Sequence, residues 1–221
     1  MVVPALDAEA TVGAVVRGAL AVVPMVVVVD DGSSDATARR ASDEGARVVR
    51  HAENRGKGAA LRTGLGFCRD HGYEVALTLD ADGQHPPSQL RRLLGATDDP
   101  GAIVLGIRDL VAARAPRANQ LSNRFSNWFL STALGQPLRD TQCGLRRYPV
   151  RRTLALGVQE DGFGFEAEVL LRAVAAAVPL HEVPVKVLYP LDRTSHFDVR
   201  RDPWRIVGRV LRTLGEPLTR R

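Results

Sequence analysis

The sequence predicts an α/β fold: a mostly parallel sheet with helices on both faces. Three observations point there. Short β-branched runs alternate with longer helix-like segments, five times in the first half of the chain. Runs such as Met25–Val29 and Ala102–Leu105 are apolar throughout rather than alternating with polar residues, as strands covered on both faces require. Acidic clusters follow two of them, at Asp30-Asp31 and Asp80-Ala81-Asp82, and the carboxyl ends of the strands are where such sheets bind ligands.

Met1–Val3 opens as a strand that Pro4 stops, since proline brings no N–H to a ladder. Ala10–Leu20 reads as a helix. Met25–Val29 is a continuous apolar strand, bounded by Asp30-Asp31-Gly32. Asp35–Glu44 is helical and Ala46–Arg50 a strand. Gly58–His71 is a helix, Glu74–Leu79 a strand, and Pro87–Gly95 a helix begun by proline, which suits a first turn. Ala102–Leu105 is the fifth strand. The second half is less regular. Gln120–Leu134 has the period of an amphipathic helix, with Leu121, Phe125, Trp128, Phe129 and Thr132 on one side, which suits a core or a membrane. Arg146–Pro149 is a short strand, Glu166–Ala177 a helix and Leu180–Leu188 a strand. A polar loop, Pro190–Asp202, precedes a last helix, Pro203–Leu214. Residues 1–202 are therefore expected to form one domain, and 203–221 a basic amphipathic helix and tail.

At 221 residues, 45% apolar and 25% charged, the chain suits one packed domain. Its longest apolar run, Ala19–Val29, has 11 residues and contains Pro24. Crossing a bilayer takes about 20. No secretory signal is visible, and Cys68 and Cys143 read as cytosolic thiols. The net charge of +5 resides in residues 193–221, where eight arginines face three acids. Only Lys57 and Lys186 are lysines among the 30 basic residues. Such a tail suggests an anionic partner, or else a solvated arginine-rich end. In the last helix Trp204, Ile206, Val207, Val210, Leu211 and Leu214 share one face, and Arg205, Arg209 and Arg212 the opposite one. That pattern fits a helix lying in a membrane interface, or one packed on the domain.

Two turns carry most of the chemistry. In Asp30-Asp31-Gly32-Ser33-Ser34-Asp35, Ser34 or Asp35 can cap the following helix. A capped turn explains the adjacent carboxylates poorly, because paired acids at an apolar sheet end are costly. Recognition of ribose hydroxyls and base edges explains them better. In Asp80-Ala81-Asp82-Gly83-Gln84-His85, strand spacing would turn Asp80 and Asp82 the same way. With the Gln84 amide oxygen they suit a hard divalent cation whose other ligands are waters and a diphosphate. His85 reads as a hydrogen-bonded turn residue, and Cys143 as a packed one without a partnering histidine. Asn54-Arg55-Gly56-Lys57-Gly58 is an anion-friendly helix entry with a surface lysine, lacking the spacing of a nucleotide-hydrolase phosphate loop.

Taken in order, Val3-Pro4-Ala5-Leu6-Asp7-Ala8-Glu9, Asp30–Asp35, Asn54–Gly58 and Asp80–Gln84 resemble the motifs of family 2 inverting glycosyltransferases of the GT-A fold. Asp140-Thr141-Gln142-Cys143-Gly144-Leu145-Arg146, Gly164-Phe165-Glu166-Ala167-Glu168 and Glu182-Val183-Pro184-Val185 resemble the polyprenyl- and dolichyl-phosphate mannosyl- and glucosyltransferase branch. The likeness runs from residue 2 to about residue 200. Asp7 stands where the family usually has Asn, and Ile107 where Ser is common. The opening strand is short for the family, so a start upstream of Met1 is an open expectation.

The resemblance implies a Rossmann-like GT-A sheet with a less regular acceptor-side half. It implies transfer of a hexose from GDP-mannose or UDP-glucose to polyprenyl phosphate at the cytoplasmic membrane face. Pro4, Asp7, Glu9, Asp30, Asp31 and Lys57 would serve the nucleotide-sugar donor. Asp80, Asp82 and Gln84 would hold Mg²⁺ or Mn²⁺ on its diphosphate. Arg108 and Arg124 are candidates to clamp the acceptor phosphate, as guanidinium does bidentately. Asp140 would lie near the reacting centre as positioner, base or loop anchor. Phe163–Glu166 would line the acceptor cleft, and Ser195-His196-Phe197 would close over its phosphate. Three alternatives stay open: a hydroxyl acceptor with Asp140 as base, a non-catalytic sugar-nucleotide-binding module, and nucleic-acid binding by the tail. The acidic strand ends and the missing nucleic-acid motif oppose the last. Neither sugar, base nor oligomeric state is readable from these residues.

Overall fold

The structure, a computed structural model, describes residues 1–189. Its elements run β1 (Val2–Ala5), α1 (Val12–Leu20), β2 (Val27–Asp30), α2 (Thr37–Asp43), β3 (Arg47–Arg50), α3 (Lys57–Asp70) and β4 (Val75–Thr78). A single 3₁₀ turn, Pro87–Gln89, leads into α4 (Leu90–Leu94). Then follow β5 (Ile103–Arg108), α5 (Arg117–Leu134), β6 (Arg146–Pro149), α6 (Val150–Ala155), α7 (Phe165–Ala175) and β7 (Leu180–Val185). The polar loop, Ser195-His196-Phe197 and the expected last helix lie outside the described residues.

The seven strands form one sheet in the order β3-β2-β1-β4-β6-β5-β7. All neighbours are parallel except β6, which runs antiparallel to both β4 and β5. The strand period of two splits the core between the faces. Val2, Val27, Ala76 and Ile103 face α3, α5 and α7 through Leu61, Leu65, Leu130 and Phe165. Their neighbours Val3, Val28, Leu77 and Val104 face α1 and α4 through Val12, Val16, Leu90 and Leu93. This is why the strands read as unbroken apolar runs.

Four expectations need correcting. Pro4 does not end β1; it lies inside the strand, in register with Val29 of β2. The odd residues of β1 turn their backbone polar groups toward β2, since Met1 and Ala5 accept from Val27 and Asp31, while Val2 accepts from Leu79 beside β4. Pro4 therefore faces the β4 side, where pairing has already stopped at Val2, and no donor is missed there. The second correction is β4, which ends at Thr78, so Asp80 and Asp82 lie in a turn and strand alternation does not orient them. The third is α6, which follows β6 without a loop and whose six residues are too few to show a helical period.

The fourth concerns α5. Its small polar residues Ser122, Asn123 and Ser126 are buried, while Leu121, Phe125 and Trp128 are exposed. The expected stripe is split, since Phe129 packs against the core beside Leu130.

Helix α3 lies close over the sheet because Gly64 brings its backbone against β1. A Cβ at Gly64 would sit 2.3 Å from Val2 Cγ1. Gly64→Ala should therefore cost about 1–3 kcal/mol by overpacking, read from urea unfolding. An unchanged midpoint would show that α3 can move off the sheet freely.

Candidate active site

The loops after β1 and β2 are laced together. Asp7, in a left-handed backbone conformation with φ 46°, accepts from Ser34 N at 2.9 Å, and its own N–H reaches Ser33 Oγ at 3.0 Å. Glu9 Oε2 accepts from Ala36 N at 3.0 Å, and Ala8 N–H donates to Thr37 Oγ1 at 2.7 Å. The exposed carboxylates of Asp7 and Glu9 thus hold the start of α2, and the buried Pro4 lies beneath them in β1. Asp7 serves this loop contact with the same short acceptor that an Asn would offer.

The adjacent acids divide two tasks. Buried Asp31 accepts from Gly56 N at 2.7 Å and Arg55 N at 3.0 Å, and its Oδ1 lies 2.6 Å from His51 Nδ1. It organises the Asn54–Gly58 loop. Buried Asp30 accepts from Ser33 N at 3.0 Å, and its Oδ2 is ion-paired with Arg50 Nε at 3.1 Å. That second oxygen accepts no hydrogen bond among the described residues.

Lys57, expected at the surface, is instead turned inward at the centre of the site, its side chain 15% exposed. Its ammonium lies 2.8 Å from Asp80 Oδ1 and 2.8 Å from Glu166 Oε1. Burial works against its charge, but the two carboxylates outweigh that and raise its pKa. Burial likewise works against the charge on Asp80, and Lys57 reverses the effect, so its pKa is lowered. Glycines make the approach possible: a Cβ at Gly56 or Gly58 would lie 2.3 Å from the carbonyl oxygens of Asp161 and Glu160. The 158–164 loop is held there by Glu168, which accepts from Glu160 N at 2.8 Å and from Arg172 Nε at 2.7 Å. On its other side Asp80 abuts Gly144, where a Cβ would meet its Oδ2 at 2.4 Å.

Asp82 is exposed two residues further on, and Gln84 orients it. The backbone N–H of Gln84 donates to Asp82 Oδ1 at 3.0 Å and its Nε2 to Oδ2 at 2.6 Å. In this geometry the Gln84 side chain directs the carboxylate, and its nitrogen end faces Asp82. His85 is buried beneath, with Nδ1 3.2 Å from Lys186 O, and burial lowers its pKa. Among the described residues no three His, Cys, Asp or Glu side chains converge as a metal cage. The donor set nonetheless fits Mg²⁺ or Mn²⁺. Such hard ions are commonly held by one or two carboxylates with waters and substrate phosphates. The Lys57 ammonium on Asp80 already shows that this turn accommodates a cation.

In the loop between α5 and β6, Asp140 is fully buried and takes a bidentate pair from Arg108, Nε to Oδ2 at 2.7 Å and Nη2 to Oδ1 at 2.9 Å. The N–H of Arg108 adds a bond at 3.0 Å and that of Gln142 one at 3.3 Å. Arg108 therefore spends its fork on Asp140. Burial opposes the charge on Arg108, but Asp140 raises its pKa. Arg124 is exposed on the outward side of α5, away from Ser122, Ser126 and Asn127. Those three bond the Asp140 loop: Gln142 Nε2 to Ser122 Oγ at 3.1 Å, Thr141 Oγ1 with Ser126 Oγ at 2.8 Å, and Thr141 N to Asn127 Oδ1 at 2.9 Å.

Arg146, quoted from its motif but given no role, is fully buried. It donates to Thr141 O at 2.7 Å, Cys143 O at 2.8 Å and Glu166 O at 3.0 Å. It thereby ties the Asp140 loop to α7 and Glu166. Arg146 and Glu166 stood in view within quoted motifs, but nothing in their spacing shows that they meet. Burial pushes the Cys143 thiol up to about 12, so it stays a packed, protonated group.

The model of glycosyl transferase family 2 matches residues 1–149. An uncharacterized protein of Methanocaldococcus jannaschii is 31% identical over 201 residues, covering 86% of this chain and 81% of that one. The undecaprenyl-phosphate mannosyltransferase of Micrococcus luteus is 29% identical over 171 residues, covering 72% of this chain and 70% of its own. Among solved structures, Mycobacterium tuberculosis glucosyl-3-phosphoglycerate synthase in complex with Mn²⁺, UDP-glucose and phosphoglyceric acid superposes with a TM-score of 0.73. It is 23% identical, covering 98% of this chain and 79% of its own, a likeness of fold. The same enzyme is also known in complex with Mg²⁺ and UDP.

Two outcomes follow from the buried groups. Lys57→Met should cost about 3 kcal/mol, because it strands Asp80 and Glu166 without their cation, read from thermal unfolding. Wild-type stability in that variant would show the pair is not maintained. Cys68 and Cys143 are both buried with raised pKa values, burial being the chief cause in each. In the folded chain neither should be alkylated at pH 9, and both should react once it is denatured. Unfolded thiols ionise near 9 while folded Cys143 holds its proton to about 12, so this group's contribution to stability falls as pH rises through that window.

Proposed function

The chain belongs to glycosyl transferase family 2, and we propose that it transfers a hexose from a nucleotide sugar, GDP-mannose or UDP-glucose, to polyprenyl phosphate. The observation that carries the acceptor assignment is Asp140. Four donors address its carboxylate, about as many as its lone pairs accept. A carboxylate so occupied is an anchor, poorly placed to take a proton from a hydroxyl acceptor. A phosphate acceptor is already ionised at pH 7 and needs no base. The name of the Micrococcus luteus relative, an undecaprenyl-phosphate mannosyltransferase, supports the same acceptor.

On this reading the donor lies at the ends of β1, β2 and β4. Asp30 and Asp31, with the loop of Asp7 and Glu9 above Pro4, bound the nucleoside pocket. Asp80 and Asp82, the latter directed by Gln84, would hold Mg²⁺ or Mn²⁺ on the diphosphate. The ion's chemistry is Lewis-acid neutralisation of the departing nucleoside diphosphate. Mn²⁺ and Mg²⁺ in the complexes of the structural neighbour support that choice. Lys57 keeps Asp80 ionised and fixed while the phosphate oxygen displaces the diphosphate at the anomeric carbon with inversion. Arg108 positions Asp140, and the exposed Arg124 meets phosphate outside the cleft. The protein acts as a peripheral one at the cytoplasmic membrane face. No helix among the described residues is long and apolar enough to cross a membrane.

The test is transfer from radiolabelled GDP-mannose and UDP-glucose to short-chain polyprenyl phosphate, with phosphoglyceric acid as the competing acceptor. Labelled lipid should form only with added Mn²⁺ or Mg²⁺. Asp82→Ala should abolish turnover while keeping the thermal transition. Normal rates for that variant in chelator-treated buffer, or sugar transfer to the soluble acid alone, would overturn the assignment.

A further inference from the structure

Thr11 stands at the N-cap of α1 and does not cap it. A threonine there ordinarily turns its hydroxyl back to accept from the second or third N–H of its own helix. Thr11 makes no such bond, and its backbone is at φ −120° and ψ −32°. The hydroxyl donates instead to Ala81 O, 70 positions away, at 2.6 Å. A second oxygen, Ala8 O, lies at 3.4 Å. A hydroxyl has a single proton, and the shorter bond takes it. A local rule broken in this way is expected where another demand outweighs it.

The acceptor identifies that demand. Ala81 stands between Asp80 and Asp82, and its carbonyl belongs to the peptide that carries Asp82. Ala81 is buried, so this oxygen needs a partner inside the fold. The other end of the turn is held by Leu188, whose N–H donates to Gln84 O at 2.8 Å. Between these two ties Gln84 directs the Asp82 carboxylate. Thr11 also faces Gly83, where a Cβ, at φ 71°, would meet Thr11 Cγ2 at 3.8 Å. On its own side Thr11 N–H donates to Ala8 O at 3.1 Å, and Ala8 N–H is held by Thr37. One residue therefore joins the loop of Asp7 and Glu9 to the turn of Asp80 and Asp82.

We propose that Thr11 is a positioning residue for the Asp80–Gln84 turn, its hydroxyl fixing the peptide on which Asp82 stands. That the turn so fixed serves Mn²⁺ or Mg²⁺ rests on the glycosyltransferase reading. A hard ion held by one or two carboxylates tolerates little displacement of either. Without the hydroxyl the Ala81 carbonyl loses its partner, the turn loosens toward water, and Asp82 is no longer held in place beside Asp80.

The experiment compares Thr11→Val with Thr11→Ser in the full chain. Valine keeps the branched shape without the donor, and serine keeps the donor without the methyl. In Thr11→Val, amide hydrogen exchange across residues 80–85 should quicken roughly threefold or more. Mn²⁺ titrated with UDP or GDP present, followed by electron paramagnetic resonance, should bind roughly three- to tenfold more weakly, as loss of one hydrogen bond implies. Thr11→Ser should match the parent in both. Each variant should keep a cooperative thermal transition; if Thr11→Val does not fold, Thr11→Ala against Thr11→Ser isolates the same oxygen. Parental exchange in the variant without the hydroxyl would overturn the proposal, as would parental Mn²⁺ affinity where the parent binds the ion. So would equal losses in Thr11→Ser, which would assign the residue to packing against Gly83. A parent that binds no Mn²⁺, beside a Thr11→Val chain whose turn still exchanges faster, would remove the metal reading and leave the positioning role standing.

Discussion

The ammonium of Lys57 between Asp80 and Glu166 is the contact on which the site's geometry depends. Two carboxylates at the apolar end of a sheet repel each other and lose solvation, and one cation shared between them relieves both costs. Because Lys57 opens α3, the helix is set by the contact as well. Gly56 and Gly58 let the 158–164 loop close over its first turn, and Glu166 arrives with that loop. The Asp80–Gln84 turn, the helix entry and α7 therefore form one electrostatic unit, although their residues lie 23 and 109 positions apart from Lys57 to Asp80 and to Glu166.

Arg146 extends that unit to the Asp140 loop. A guanidinium buried without a carboxylate partner at hydrogen-bond distance is stable only if carbonyl oxygens take its protons. Here Thr141, Cys143 and Glu166 supply them. The loop carrying Asp140 thus rests on the same helix end that neutralises Lys57. The antiparallel β6 makes this possible, because its reversed direction brings Arg146 in beside Thr78 at the carboxyl end of β4.

Polar residues on the inner side of α5 complete the arrangement. Ser122, Ser126 and Asn127 are small enough to let the helix approach a loop whose backbone needs partners, and they satisfy it. Using that stretch of the inner side for hydrogen bonds leaves Leu121, Phe125 and Trp128 facing outward, while Leu130 still packs in the core. The exposed aromatic surface and the anchored Asp140 loop are two sides of one sequence choice.

The sequence by itself determined the fold class and the positions of the acidic turns. Unbroken apolar runs and helical periods are local patterns, and the physics that makes them is local. It also singled out Asp30-Asp31, Asp80–Gln84 and Asp140–Arg146, since each departs from what a bare turn requires. Only the tertiary structure decided what those residues touch. Pro4 continues β1 because β4 has already parted from it there. Lys57 turns inward because two distant carboxylates share it, Arg108 is committed to Asp140, and Arg124 faces away from the loop that Ser122 holds. A periodic stripe specifies that a helix has two sides, but which side is inward depends on what the rest of the chain presents to it. For α5 a loop with unpaired backbone groups outweighed the gain from burying Leu121 and Trp128.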